Sequence, residues 1–365
     1  MYPFRDENVF LRNAWYVAAM AQEIADGPLQ RTIMDKPVVL YRGESGRMRA
    51  MHGLCPHRNY PLGLHGTVEG EAIRCNYHGF VFDGENGKVV DIPSAANTPM
   101  RFCQKIYPVV ERGPWVWIWP GDPDLADPGK VPTLDQMKMG DGFVTSPMME
   151  PMHANARYML ILENLMDLTH ISFLHSMTAG FDEIASASIE IEETEGGMIV
   201  TRRMDAAAWG KYHEAVFGEE NRFEGKAQSD NEAMTVAPGY FLNTSQTIRS
   251  IDGKPVDPRV YGEVWFHHVV TPETKTSFHY FGTQTRNFRL DADALGEGLR
   301  HADTRVRAED IEAVEAIERQ LVQFGPPPVE LAVRSDTAAG KLRRLMQRAL
   351  DAEAAMGEPK AEAIA

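Results

Sequence analysis

Two of the chain's three cysteines sit in short motifs that each pair a thiol with an imidazole: Cys55-Pro-His57 and, after seventeen intervening residues, Cys75-Asn-Tyr-His78. Two loops carrying one thiolate and one imidazole each can close on a single zinc ion, but zinc loops usually pair like with like. A [2Fe–2S] centre with two thiolates on one iron and two imidazoles on the other asks for mixed loops, and neutral imidazoles raise its potential. The plain alternative is that Cys55, His57, Cys75 and His78 are ordinary core and surface residues, as free cysteines often are. Cys103 fits no pattern and reads as a buried thiol. A second run, Asn164-Leu-Met-Asp167-Leu-Thr-His170 followed by His175, steps polar groups by three along an apolar segment. Two imidazoles and one carboxylate on one side of an iron leave the other positions open for dioxygen and substrate. Core histidines with satisfied ring nitrogens are the competing reading of His170 and His175. A five-residue step separates two side chains by about 140° on a regular α-helix, so His170 and His175 can share an ion only if the helix bends or ends between Asp167 and His175.

The elements that must position these residues follow from the punctuation. Lys36 to Tyr41 and Met48 to Met51 read as strands around a Gly43 to Gly46 turn, and Cys75 to Phe82 and Val89 to Ile92 repeat the pattern around Asp83 to Gly87. Trp115, Trp117 and Trp119 alternate as on one face of a strand. Pro120 to Pro132 is crowded with Pro and Gly and marks a domain edge. Beyond it, Ala156 to Leu174 reads as mostly helix, Ile189 to Arg202 as a hairpin turning at Gly196-Gly197, and Val264 to Phe281 as another turning near Pro272 to Lys275. Ala308 to Phe324 and Ala338 to Ala352 are periodic helices. This divides the chain into a β domain over 1–120, an α+β domain over 121–353 and a disordered tail over 354–365.

Hydrophobic residues make up 43% and charged residues 24% of 365, so a globular core is available. The balance of 37 Lys+Arg against 52 Asp+Glu leaves −15, which disfavours nucleic acid and anionic membrane as partners. An odd count of three cysteines, no signal-peptide-like start and no long apolar run place the protein in the cytoplasm.

Cys55-Pro-His-Arg58, Leu62, Gly66, Cys75-Asn-Tyr-His-Gly-Phe-Val-Phe-Asp83, Gly87 and Pro93 together resemble the Rieske domain of Rieske non-haem iron oxygenases, with Phe80 where the family often has Trp. The resemblance runs from Phe10 to the late helix. Thr271 to Phe281 and Thr285 to Phe288 look like the branch containing vanillate and dicamba O-demethylases. It implies an all-β Rieske domain followed by a helix-grip, START-like catalytic domain with an antiparallel sheet. It further implies that His57 and His78 hold the outer cluster iron, that Cys55 and Cys75 hold the inner one, and that His170, His175 and Asp310 hold a mononuclear Fe(II). Taken alone, Asp310 reads as a solvated charge on an acidic helix, and Glu309 is its nearest rival. Asp167 is implied as a bridge between His170 and His78 of the partner subunit in a homotrimer. Asn164, Arg58 and Tyr77 are weaker nominations. His268 is a guess for a polar substrate contact, and an ordinary sheet histidine is the better reading of it.

The implied activity is that of a terminal oxygenase: O-demethylation of a small, carboxylated aromatic with O₂ and electrons from a separate NAD(P)H-dependent reductase, with or without a ferredoxin. No nucleotide fingerprint appears in this chain. A carboxylate on the substrate needs a donor, and His268 or Arg286 is expected to supply it. N-dealkylation and ring cis-dihydroxylation use the same metal sites. A pure electron carrier would lack the second iron, and a zinc-stabilised binding module would be colourless.

Overall fold

Short strands and tight turns fill the chain up to Val131, and long strands with helices follow, as the change in patterning predicts. The structure, a computed structural model, describes residues 2–95, 102–180, 182–194, 197–237 and 240–357. It divides into two units. One holds Phe10–Val131, Thr271–Lys275 and the chain from Leu350; the other holds the first nine residues, Pro132–Val270 and Thr276–Ala349. The division therefore falls at Val131/Pro132 rather than at 120/121, because Pro120 to Pro132 is not a free linker. Trp119 Nε1 donates to the Asp122 carbonyl (2.8 Å) and Trp15 Nε1 to that of Asp127 (2.9 Å), while Asp122 and Asp127 cap their own turns at Asp124 N and Gly129 N. The Thr271–Lys275 tip joins the first unit through Thr271 Oγ1, which donates to the Val17 carbonyl (2.6 Å), and through the Met34 and Asp35 amides, which donate to Pro272 and Glu273.

The first unit is built of small antiparallel sheets. Tyr16–Met20, Trp115–Ile118 and Val109–Arg112 form one; Leu29–Ile33, Lys36–Arg42 and Met48–His52 form another; Val89–Asp91, Val81–Phe82, Ala72–Cys75 and Gly66–Glu69 form a third. Leu54–Cys55 pairs with Tyr60–Pro61, followed by the one-turn helix α1 (Leu62–His65). Trp115 to Ile118 is buried on both faces, so the tryptophans mark an interior strand rather than one side of an edge.

The second unit wraps a nine-stranded antiparallel sheet over helices. The order along the sheet is Val144–Thr145, Ser277–Arg286, Val264–Thr274, Phe241–Ile251, Ala227–Ala237, Gly197–Ala207 and Ser188–Thr194, with Met152–Ala154 and Lys254–Pro255 pairing at its sides. Helices α2 (Tyr158–Met166), α3 (Lys211–Phe217), α4 (Asp293–Phe324) and the greater part of α5 (Thr337–Ala355) belong to the same unit. Helix α4 begins well before the predicted Ala308. Its buried stripe is largely charged, with Asp303, Arg307, Asp310 and Glu318 beside Leu299 and Val314, which is why its apolar periodicity understates its length. Arg307 pairs with Asp303 (2.9 Å) and Glu318 with Arg157 (2.6 Å), the N-cap residue of α2, while Asp310 faces His170 and His175. Helix α5 runs through Ala354 and Ala355, into the expected tail; the rest of that tail from 358, and Gly196 of the expected hairpin turn, lie outside the described residues. Among the described residues no helix is long and apolar enough to cross a membrane.

Candidate metal centres and substrate cavity

The two Cys/His loops have the same local build. The Asn59 amide donates to the Cys55 carbonyl (2.8 Å) and the Gly79 amide to the Cys75 carbonyl (2.9 Å), so each loop closes as one tight turn behind its cysteine. Both closing residues have positive φ, 53° and 79°. A Cβ at Gly79 would meet the Pro93 ring at 2.8 Å, so glycine is required there on two counts. Cys55 and Cys75 sit inside the core formed with Val39, Tyr41, Leu62 and Phe82, while His57 and His78 are exposed, their ring centroids 4.6 Å apart. Phe80 stacks on His57 at 5.0 Å, the role an aromatic at this position was expected to fill. Burial and the neighbouring Cys75 push the Cys55 thiol up to about 11. Two thiols crowded in an apolar pocket and two imidazoles facing solvent fit a cluster with its thiolate iron buried and its imidazole iron at the surface. Tyr77 is exposed, stacks on Tyr60 and lies tilted against His78. Cys103 is exposed rather than buried, on an isolated bridge to Lys88.

In the second unit the segment read as one helix is two. Helix α2 ends at Met166, Asp167 adopts an extended conformation (φ −118°, ψ 92°), and a 3₁₀ turn covers Leu168–Ser172. The break lies between Asp167 and His175, as the five-residue step requires, and it brings the His170 and His175 rings to 5.2 Å. Asp310 closes the group from α4: its Oδ1 lies 3.1 Å from His175 Nε2 and 3.5 Å from His170 Nε2, and ligand atoms of the three residues all lie within 4.8 Å of one another. Donor atoms each ~2.1 Å from one ion and roughly at right angles stand about 3 Å apart, so the three fit a facial site. Asn164 Nδ2 donates to the same Oδ1 (3.2 Å), which makes Asn164 a support for Asp310.

Both imidazoles are oriented through Nδ1, which leaves Nε2 for an ion. Glu309, the rival for the carboxylate position, instead bonds His175 Nδ1 at 2.6 Å and accepts from Thr178 Oγ1 at 2.7 Å. His170 Nδ1 donates to the main-chain carbonyl of Asp167 (2.7 Å), not to its carboxylate. This corrects the expected side-chain bridge to His170, and the reason is local. As the joint between α2 and the 3₁₀ turn, Asp167 bends its Oδ1 back to accept from Thr169 N (3.1 Å) and from Arg202 Nη2 (2.9 Å). Arg202, fully buried on the strand Gly197–Ala207, carries no sequence signal of this role.

Burial lowers the His170 pKa against the Asp310 charge; burial acts the same way on His175, but the Asp310 and Glu309 carboxylates outweigh it and the net shift is upward. A proton therefore competes with a metal at His175 from a higher pH than at an ordinary imidazole. Co(II) or Fe(II) affinity, titrated across the neutral range, is expected to fall as pH drops and to begin falling above the usual imidazole range. Glu309→Gln should keep the orienting contact but lose the charge, weakening metal affinity by about 10–100-fold and moving that pH onset downward.

A cavity opens on the His170, His175 and Asp310 group. Its apolar wall includes Leu165, Ile171, Val216, Phe266, Leu299 and Val306, and its polar lining includes Thr178, Asn231, Thr244, His268 and Asp303. His268 thus lines the cavity, with Nδ1 bonded to Tyr280 Oη (2.6 Å) and Nε2 to Thr244 Oγ1 (2.9 Å). Burial, and the Arg307 charge, hold it neutral. Arg286 is not in the lining; it donates to the Arg289 and Ala292 carbonyls, which corrects its expected part in holding a carboxylate.

Residues 14–108 match the family model of the Rieske [2Fe-2S] domain, and residues 154–352 that of the vanillate O-demethylase oxygenase C-terminal domain. The chain is 36% identical over 356 residues to the iron-sulfur subunit of the toluene-4-sulfonate monooxygenase system of Comamonas testosteroni, covering 94% of this chain and 98% of that one. It is 32% identical over 359 residues to a vanillate O-demethylase oxygenase subunit of a Pseudomonas species, covering 94% and 96%. A crystal structure of dicamba monooxygenase bound to 3,6-dichlorosalicylic acid superimposes with a TM-score of 0.83 at 31% identity, over 95% of this chain and 99% of that one.

Proposed function

The chain belongs to the Rieske non-haem iron oxygenases with a vanillate O-demethylase-type catalytic domain, and from that premise we propose that it O-demethylates a small methoxylated aromatic acid. The observation that carries the reading is the group His170, His175 and Asp310 at one end of a largely apolar cavity. Cys55, His57, Cys75 and His78 would hold the [2Fe–2S] cluster, and His170, His175 and Asp310 the Fe(II). When bound, the two centres supply stored electrons and an open coordination side for dioxygen.

The protein's own contribution is placement and exclusion. The apolar wall strips water from a flat ring and holds the methoxy carbon toward the imidazole pair. Glu309 and the Asp167 carbonyl keep both Nε2 atoms directed inward. Among the described residues no Lys or Arg lines the cavity, so the substrate carboxylate would rely on neutral donors such as the Thr244 hydroxyl. With Nε2 of neutral His268 donating to Thr244 Oγ1 and Tyr280 Oη donating to Nδ1, the Thr244 O–H is free to point into the cavity. Oxidation at the methyl carbon gives a hemiacetal, which collapses to a phenol and formaldehyde.

The working unit in this proposal is a cytoplasmic homotrimer fed by a reductase, with or without a ferredoxin. Asp167 serves His170 through its carbonyl and offers its second carboxylate oxygen to His78 of the partner subunit. Incubation with labelled dioxygen and a methoxybenzoate, with the aldehyde trapped before it exchanges, is expected to place the label in formaldehyde. Ring cis-diols with the methoxy carbon retained would sink the reading; aldehyde from N-alkyl substrates alone would move it to N-dealkylation.

A further inference from the structure

We propose that Asn231 sets the specificity of the cavity, and that the substrate ring carries a hydrogen-bond donor, a phenolic hydroxyl or N–H, which Asn231 Oδ1 accepts. The inference deepens the oxygenase reading above and rests on it. Asn231 lies on the strand Ala227–Ala237 opposite Gln246, is 6% exposed, and lines the cavity that opens on His170, His175 and Asp310. Its Oδ1 is buried and has no hydrogen-bond partner. A buried acceptor in that state bears the full desolvation of the oxygen with nothing in return, and such groups call for a specific account.

The surrounding protein does not provide the missing donor. Thr244 Oγ1 and His268 Nε2 are bonded to each other and the second His268 nitrogen to Tyr280; the Thr244 hydrogen is left for the cavity, but it does not reach Asn231 Oδ1. Gln246 turns its amide nitrogen toward His213 Nε2 (3.4 Å), and its own Oε1 is also without a partner. Asp303, another polar lining residue, is an acceptor whose Oδ2 takes bonds from Gln284 and Arg307. The lining holds no Lys or Arg among the described residues. Tyr212 and Ser245 also line the cavity, yet no group among the described residues donates to Asn231 Oδ1, and a ligand that brings its own donor supplies the missing bond. Water can serve the oxygen in the free protein, but a ligand that displaces water without offering a donor forfeits that bond. A site of this kind discriminates strongly against an analogue that lacks the donor.

The test compares matched ligands on the iron-loaded protein under anaerobic conditions, so that binding is read by calorimetry without turnover. The probes are a hydroxy-methoxybenzoate, the corresponding amino-methoxybenzoate and the dimethoxybenzoate. The hydroxyl and amino compounds are expected to bind at least about tenfold more tightly than the dimethoxy compound, and Asn231→Leu is expected to level the series. Equal binding in the parent protein overturns the inference. So does a preference for the dimethoxy compound, the result if the side-chain amide presents its NH₂, and so does a preference that survives Asn231→Leu. Should that variant fail to fold, Asn231→Asp keeps an acceptor and is expected to keep the preference; its loss there overturns the inference as well. Donor-dependent binding without formaldehyde on adding O₂ and electrons would fail the demethylation reading and leave this one standing, whereas binding of none of the three fails both.

Discussion

Asp310→Ala is expected to lose the mononuclear iron and fall to background turnover while keeping its brown colour and its acid-labile sulfide; His57→Ala is expected to lose the colour and keep the His170, His175 and Asp310 group. The parent protein should hold about three irons per chain, two of them with sulfide. The first half of the result follows from charge. Without Asp310, two imidazoles remain to hold a divalent ion, and burial already works against cationic charge on His170. Glu309 does not step in, because its carboxylate is occupied by His175 Nδ1 and Thr178 Oγ1 on the far side of the imidazole. The second half follows from separation of function: the Cys55 and Cys75 loops lie in one unit and the histidine pair in the other. Iron and sulfide analysis of both variants, with spectra of the reduced proteins, checks the pair. Iron retained in Asp310→Ala would return the carboxylate role to Glu309, and cluster retained in His57→Ala would end the ligand assignment in the first unit.

How much of this was legible in the chain depends on distance along it. The cluster loops could be read because each is closed by its own turn, with the ligands two or three residues apart and the geometry local. The histidine pair could be read for the same reason, including the need for a break, since a five-residue step rules out one regular helix through both rings and the 3₁₀ turn holding His170 ends at Ser172. Asp310 could not be found from pattern: it lies 135 residues beyond His175 on a helix whose buried stripe is charged, so its burial resembles exposure in the sequence. Only the family resemblance singled it out. Glu309 was noticed for the wrong role, because a sequence shows two adjacent carboxylates but not which one faces Nε2. Asn231, Thr244 and Arg202 were beyond reach altogether. Their placement, and the roles proposed for them, depend on the register of long strands, where a one-residue slip would turn each side chain to the opposite face.

Asp167→Asn is expected to destabilise the catalytic unit by about 3 kcal/mol, a larger effect than the loss of a surface carboxylate would bring. Arg202 is fully buried, and its Nε and Nη1 have no hydrogen-bond partner. Its Nη2 donates to Asp167 Oδ1 and, at 3.4 Å, to the carbonyl of Met166 at the end of α2. Neutralising Asp167 therefore strands a desolvated guanidinium, whereas Arg202→Met removes the charge that needed the partner and leaves Asp167, which is 16% exposed, within reach of water. The single arginine variant should cost less than Asp167→Asn, and the double variant Asp167→Asn with Arg202→Met should recover part of the loss, a coupling that urea denaturation of the four proteins reads directly. The same pair tests the electron route. Because the Asp167 main-chain carbonyl orients His170 whatever its side chain, the double variant should keep its mononuclear iron, yet single-turnover oxidation of the reduced cluster should slow if the second carboxylate oxygen serves His78 of the partner subunit. Equal stability of Asp167→Asn and the parent would show that the buried guanidinium finds another acceptor. Unchanged cluster oxidation in the double variant would remove Asp167 from the path between the two metal centres and leave it as the joint that turns His170 toward Asp310.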